Sequence, residues 1–215
     1  MMNIQDQLAK KISDELNLEE EQYEIIRYGA FVIMQISLCI IAVAVFGLLF
    51  GVMLQALIVS FSTSILRQYS GGTHASRPGS CAVIGTVVSV GLALFMKYIG
   101  NFMNVNTILI VDGISFLIAF YIINKYAPVD SKAKPIKSEA KRKKMRKRSF
   151  IIAATYLILS IVFLLSYQFT NNVDFYIFVL DISGGMLFQV FSLTIIGRSV
   201  LAKIDQGLTR VMYRR

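Results

Sequence analysis

Apolar residues run along this chain in long blocks rather than in the alternation of a soluble fold. Residues 28 to 66 carry no charged side chain, nor do 78 to 96 or 149 to 173, and residues 98 to 124 and 175 to 197 carry one acid each, Asp112 and Asp181. A membrane-spanning helix needs about 20 mostly apolar residues, so the first block is long enough for two short spans joined near Gly47–Gly51. The pattern predicts six spans, near 29–47, 50–67, 81–98, 105–124, 150–168 and 175–197. Ahead of them, Ile4, Leu8, Ile12 and Leu16 recur every four residues and predict an amphipathic helix, lying at the membrane surface or packed on the basic loop or a partner helix. Seven acids and two lysines in the first 24 residues would be repelled by anionic lipid, so at a membrane the apolar stripe has to hold that helix.

The whole chain, 1–215, therefore reads as one all-α, polytopic membrane domain. It consists of an amphipathic segment over 1–27, a six-helix membrane part over 28–198 with a basic loop at 125–149, and a basic tail over 199–215. Composition agrees: 55% of residues are hydrophobic and the mean hydropathy is +0.62, too apolar for an ordinary soluble protein. The first 24 residues lack the apolar core of a secretory signal, so the amino end is expected in the cytosol. The stretch from Lys125 to Arg148 holds eleven Lys or Arg against two acids, whereas the connections near 48–50, 99–104 and 169–174 are nearly free of them. Positive charge collects on the cytosolic side, and six crossings from a cytosolic start place the 67–80 loop, the basic loop and the carboxyl end there.

The net charge of +9 comes largely from the run Lys141 to Arg148. Such runs can bind nucleic-acid phosphate, but in a polytopic chain the better reading is an orientation signal touching anionic lipid headgroups, with no nucleic-acid partner. A minority reading has it hold an acidic peptide.

The polar break between the second and third predicted spans carries the candidate chemistry. It contains the chain's one histidine, His74, and Cys81, one of two cysteines. A thiolate is the nucleophilic form, and a neighbouring histidine is its usual proton acceptor. Pro78 suits the first turn of a helix, which puts Cys81 beside unsatisfied amides and a positive dipole end that favour an anion. Those amides could also receive the oxyanion of a tetrahedral intermediate. Gly71 and Gly72 would let the chain fold back so that His74 reaches the sulfur. An ordinary loop with an incidental His and Cys is the competing reading of the residues alone. One His and one Cys are too few ligands for zinc, so no metal or other cofactor is expected. Cys39, near the middle of the first span, reads as packing rather than as a disulfide partner.

Asp112 and Asp181 lie inside spans, toward the end away from Cys81, and are expected to hydrogen-bond between helices. Gln189 lies nearer the depth of Cys81, where it could orient the imidazole or bind a peptide backbone. Gly184 and Gly185 read as a close-packing point.

The block Arg67, Gly71, Gly72, His74, Ala75 and Cys81, followed by Tyr126-Ala127-Pro128 and Lys134-Pro135 leading into a basic stretch, resembles the accessory gene regulator protein B family. These are bacterial membrane cysteine endopeptidases of peptide quorum sensing. The resemblance covers nearly the whole chain. It implies that His74 and Cys81 are catalytic; beside them Arg67, Gly71, Gly72, Arg77 and Gln189 are the candidates for binding substrate or supporting the site, and Arg67 and Arg77 could equally anchor at headgroups. It implies an AgrD-type propeptide as substrate, with an amphipathic leader, a central signal segment and an acidic tail. Cys81 would form a thioester with the signal segment, and a Cys or Ser of the propeptide would close a thiolactone or lactone. A homodimer in the bacterial cell membrane is implied as well. The reading from another class is a transporter or exporter of a signal peptide, which predicts broken helices and polar clusters at mid-membrane.

Overall fold

The computed structural model describes residues 4–16, 19–72, 77–130, 136 and 138–212. Among these the protein is helical throughout: α1 (Ile4–Leu16), α2 (Glu20–Leu49), α3 (Met53–Ser70), α4 (Pro78–Gly100), α5 (Val105–Tyr126), α6 (Glu139–Thr170), α7 (Asp174–Leu193) and α8 (Ile195–Met212). The chain divides into two compact units, residues 1–42 and 43–215. In the first, α1 forms where the four-residue periodicity predicts it, and Arg27 Nε on α2 donates to Asp6 Oδ1 at 2.7 Å.

The second unit is organised around α7. Among the helices long and apolar enough to cross a membrane, α7 has 78% of its most apolar window buried, against 33% or less for the others. A helix so enclosed can carry polar and small residues, because they meet protein rather than lipid. A Cβ at Gly184 would lie 2.7 Å from Met96 Cε on α4, and one at Gly185 would lie 2.7 Å from the Val59 carbonyl oxygen on α3. Both glycines are therefore the close-packing point that their pairing predicted. Thr63 Oγ1 donates to the Gly185 carbonyl at 3.1 Å across the same seam, and Tyr156 on α6 donates to the Ser62 carbonyl at 2.8 Å. Leu66, Ile123, Ala127, Ala153, Met186 and Leu193 form the apolar core between α3, α5, α6 and α7.

Five helices, α2, α4, α5, α6 and α7, have the length and hydropathy of spans, against six predicted. The remaining one is α3, whose 18 residues include Gln55, Ser60, Ser62, Thr63, Arg67, Gln68 and Ser70. Much of that polarity faces inward: Gln55, Ala56, Val59, Ser62, Leu66 and Ser70 are its buried residues. The first hairpin turns where it was expected, with Gly51 at φ +66° and a Cβ at Gly47 meeting Met53 Cα at 2.9 Å. Lys97 Nζ, at the end of α4, donates to the Gly51 carbonyl at 3.0 Å.

Two predicted boundaries move. The basic stretch before residue 150 is a helix from Glu139 onward, continuous with the span, because Lys and Arg are good helix formers and no glycine or proline follows Pro135 there. The last span ends at Leu193 rather than 197, and the tail is the helix α8. Ile195 and Ile196 extend the apolar run in the sequence, but Thr194 is extended and its Oγ1 accepts from the Gly197 amide at 3.0 Å, the cap of a new helix. The expectation for the two acids holds for one. Asp112 accepts a short hydrogen bond from Ser183 between α5 and α7, with Ser160 of α6 beside it, whereas neither carboxyl oxygen of the fully buried Asp181 has a partner among the described residues.

Candidate active site

The polar break predicted from the sequence lies between α3 and α4. Helix α3 runs through Arg67 to Ser70, and the chain then turns through two left-handed glycines, Gly71 at φ +74° and Gly72 at φ +128°. Only glycine takes such angles without strain. Room is as restricted as the angles. A Cβ at Gly71 would overlap the Val129 carbonyl, and one at Gly72 would lie 3.1 Å from Ser192 Oγ.

This turn is held from two sides. From α7, Gln189 Nε2 donates to Ser70 Oγ and to the Gly71 carbonyl, both at 2.9 Å, and Ser70 Oγ donates to the Leu66 carbonyl at 2.9 Å. From the extended segment after α5, the Val129 amide donates to the Ser70 carbonyl at 2.9 Å, and Val129 bridges Gly71 in parallel. Gln189 thus spends its amide nitrogen on the turn itself, one side-chain hydroxyl and one backbone carbonyl. Residues 127–130 are in turn tied to α6: Arg146 Nε donates to the Ala127 carbonyl at 2.7 Å, and Arg142 pairs with Asp130 at 2.9 Å. Arg148 lies over the Tyr69 ring, 5.4 Å from its centroid.

His74 lies outside the described residues, as do Lys134 and Pro135. Beyond it, Arg77 is the extended residue that caps α4, and Pro78 opens the helix. The first intrahelical bond runs from the Cys81 amide to the Arg77 carbonyl at 3.1 Å, which places Cys81 in the first turn as predicted. Proline has no N–H, the Cys81 amide is engaged and Ser80 is fully buried, so the Gly79 amide is the one a first-turn anion would meet. Arginine has no acceptor, so unlike Ser, Thr, Asp or Asn at that position Arg77 leaves it uncapped by its side chain. Arg67 on α3 is within electrostatic reach of Cys81, and its Nε is buried with no hydrogen-bond partner among the described residues. Ser80 is fully buried beside the cysteine, its Oγ 3.4 Å from Thr209 Oγ1 on α8. Cys39 sits within α2 and receives a hydrogen bond from Gln35 Nε2 at 3.6 Å.

Sequence reasoning placed Arg67, Gly71, Gly72, Arg77, Cys81 and Gln189 in one region, and the fold brings Arg67 to Cys81 and Gln189 to Gly71. It missed residues 127–130 and the arginines that hold them. The Ala127-Pro128 step reads in sequence as a helix stop, and an extended backbone there is what proline chemistry favours, but which edge that backbone meets is set by tertiary packing.

The site and its frame define a class: a polytopic helical membrane protein with a thiol presented at a helix start. The family model for accessory gene regulator B matches residues 5–193, and the chain belongs to that family. Its relatives include AgrB-like protein 2 of Clostridium perfringens strain 13, 35% identical over 98% of this chain and 99% of its own length. The AgrB-like protein of C. perfringens strain SM101 is 36% identical over the same shares, and one from Listeria innocua is 26% identical over 81% of this chain and 78% of its own. No solved structure matches the chain. The family places the protein in the processing of accessory gene regulator quorum-sensing peptides, with an AgrD-type propeptide as partner, as a multi-pass protein of the cell membrane.

Proposed function

We propose that the protein is a membrane cysteine endopeptidase that removes the tail of an AgrD-type propeptide and leaves the signal segment poised to cyclise. The carrying observation is Cys81 in the first turn of α4, behind a cap residue that cannot accept a hydrogen bond and within electrostatic reach of Arg67. Single-domain organisation, cytosolic termini and a cytosolic site, contact of the exposed lysines with anionic lipid, and a homodimer belong to the same reading.

His74 takes the thiol proton, and the sulfur adds to the carbonyl carbon of the last signal residue. The oxyanion is received at the helix start, where the Gly79 amide is uncapped and not fully buried. Collapse breaks the C–N bond, and the imidazolium gives its proton to the departing amine of the tail. The product is a thioester on Cys81. A Cys or Ser side chain of the propeptide then attacks that thioester, losing its proton to His74, and Cys81 leaves as thiolate. Because the nucleophile and the thioester belong to one held chain, effective molarities of about 10⁵ M or more favour the ring over hydrolysis by unpositioned water at about 55 M.

The test is intact-mass spectrometry on purified protein in liposomes with the propeptide encoded beside its gene. Wild type is expected to show an adduct with the mass of the propeptide lacking its tail, labile to hydroxylamine and absent in Cys81→Ala. Unprocessed propeptide beside folded wild-type protein would sink the reading and favour transport or binding.

A further inference from the structure

The basic start of α6 looks like a uniform positive stretch in the sequence, yet its side chains divide by what they touch. Lys141, Lys143, Lys144 and Lys147 are exposed, and among the described residues Lys143 pairs with the exposed Glu139 of its own helix, at 3.1 Å. Arg142 and Arg146 are half-buried and four residues apart, on one face. Both turn toward residues 127–130. The Ala127 carbonyl belongs to a fully buried residue at the end of α5, where no helical amide follows to satisfy it, and Arg146 Nε supplies the donor at 2.7 Å. Arg142 reaches the Pro128 carbonyl at 3.5 Å and Asp130 at 2.9 Å. Its ion pair is partly open to solvent, which makes Arg146 the stronger of the two anchors.

What they anchor is the backbone that receives the catalytic turn. Val129 donates to the Ser70 carbonyl and lies against Gly71 so closely that no side chain fits there, while Gln189 holds the Gly71 carbonyl from the other side. The two peptide units that launch the segment toward His74 are thus fixed between α7 and a strap whose far end is pinned by α6. We propose that Arg146, assisted by Arg142, is a positioning residue of the peptidase: acting through residues 127–130, it sets the Ser70–Gly71 turn that precedes His74 in the sequence. The exposed lysines of the same run have no part in that. The inference rests on the His74–Cys81 reading above.

The experiment uses the full-length protein in liposomes in a Cys39→Ser background, where Cys81 is the one thiol of the two left. Two rates are measured: alkylation of Cys81 by iodoacetamide between pH 6 and 9, which needs no propeptide, and release of the propeptide tail. Arg146→Ala is expected to slow both by about 10- to 100-fold, the scale of a small misplacement of a catalytic group, with KM within about twofold. Arg146→Gln, which keeps a neutral N–H donor, recovers part of the loss and serves as the second variant if Arg146→Ala fails to fold by circular dichroism. Lys144→Ala leaves the alkylation profile unchanged.

Alkylation and tail release within about twofold of wild type in both Arg146 variants overturn the proposal, as does an equal loss in Lys144→Ala. If His74→Ala is alkylated at the wild-type rate at every pH, the His–Cys reading itself falls and this inference with it. Dependence on His74 without dependence on Arg146 removes the positioning role alone.

Discussion

Two polar clusters are buried in the bundle, one at the carboxyl end of α3 and one midway along α7. At the end of α3 the polar atoms of Ser70 and Gly71 are shared out among three elements: Gln189 from α7, Val129 from the strap, and Leu66 from α3 itself. Midway along α7, Asp112 is matched by Ser183, whereas the carboxyl group of Asp181, two residues away, is enclosed and unmatched among the described residues. A hydrogen-bonded cluster specifies one geometry, and an unmatched buried group costs stability without specifying any. The α3 end has unmatched buried atoms as well, Arg67 Nε and Gln189 Oε1, but its turn is hydrogen-bonded from three elements, which marks it as the place where geometry matters.

The sharpest way to break this contrast is at Gly71. Gly71→Ala adds a side chain at φ +74° against the Val129 carbonyl, and backbone strain of this kind alone costs about 1–3 kcal/mol. Tail release is expected to fall below detection in mass spectrometry while the helical signal by circular dichroism is retained, because the bundle does not depend on that turn. Gly185→Val tests the converse at the middle of α7. Its added atoms meet the Val59 carbonyl and Ser62, so the thermal midpoint should drop by the equivalent of about 1–3 kcal/mol, and activity should fall only as far as folded protein does.

The two acids should differ in sign. Asp112→Ala strands the buried Ser183 hydroxyl and is expected to destabilise by about 1–3 kcal/mol, whereas Asp181→Ala removes a group with nothing to lose and is expected to leave the melting midpoint level or raise it. Equal losses in thermal melts of the two variants would show that Asp181 has a partner after all. The smallest effect belongs to Lys143→Ala, whose exposed pair with Glu139 should shift neither the melt nor the rate of Cys81 alkylation measurably.

How far the sequence could be read follows from the range of the physics involved. Burial against lipid acts on every residue of a span, so long uncharged blocks announced α2, α4, α5, α6 and most of α7 without knowledge of neighbours. Where the apolar run outlasted the helix, at Ile195 and Ile196, a single threonine cap decided the boundary, and a cap is a weaker signal than hydropathy. The same uncharged block predicted α3 as a span at 50–67, and the helix forms over Met53–Ser70, but its polarity, much of it turned inward, keeps it below the hydropathy of the other spans. At the site, proline at the start of α4 and the glycine pair at the end of α3 were legible, since each restricts or frees its own backbone angles.

By itself, then, the chain's residue order determined the helical membrane class, the place of the polar break and the position of Cys81 in a first helical turn, all through local or lipid-facing forces. Tertiary structure decided which α7 residue holds Gly71, that Arg67 comes within reach of Cys81, and that two arginines of a basic run are anchors while its lysines face outward. Those are contacts between residues far apart in sequence, and a hydrogen bond acts only over about 3 Å, so they exist only once the helices have packed.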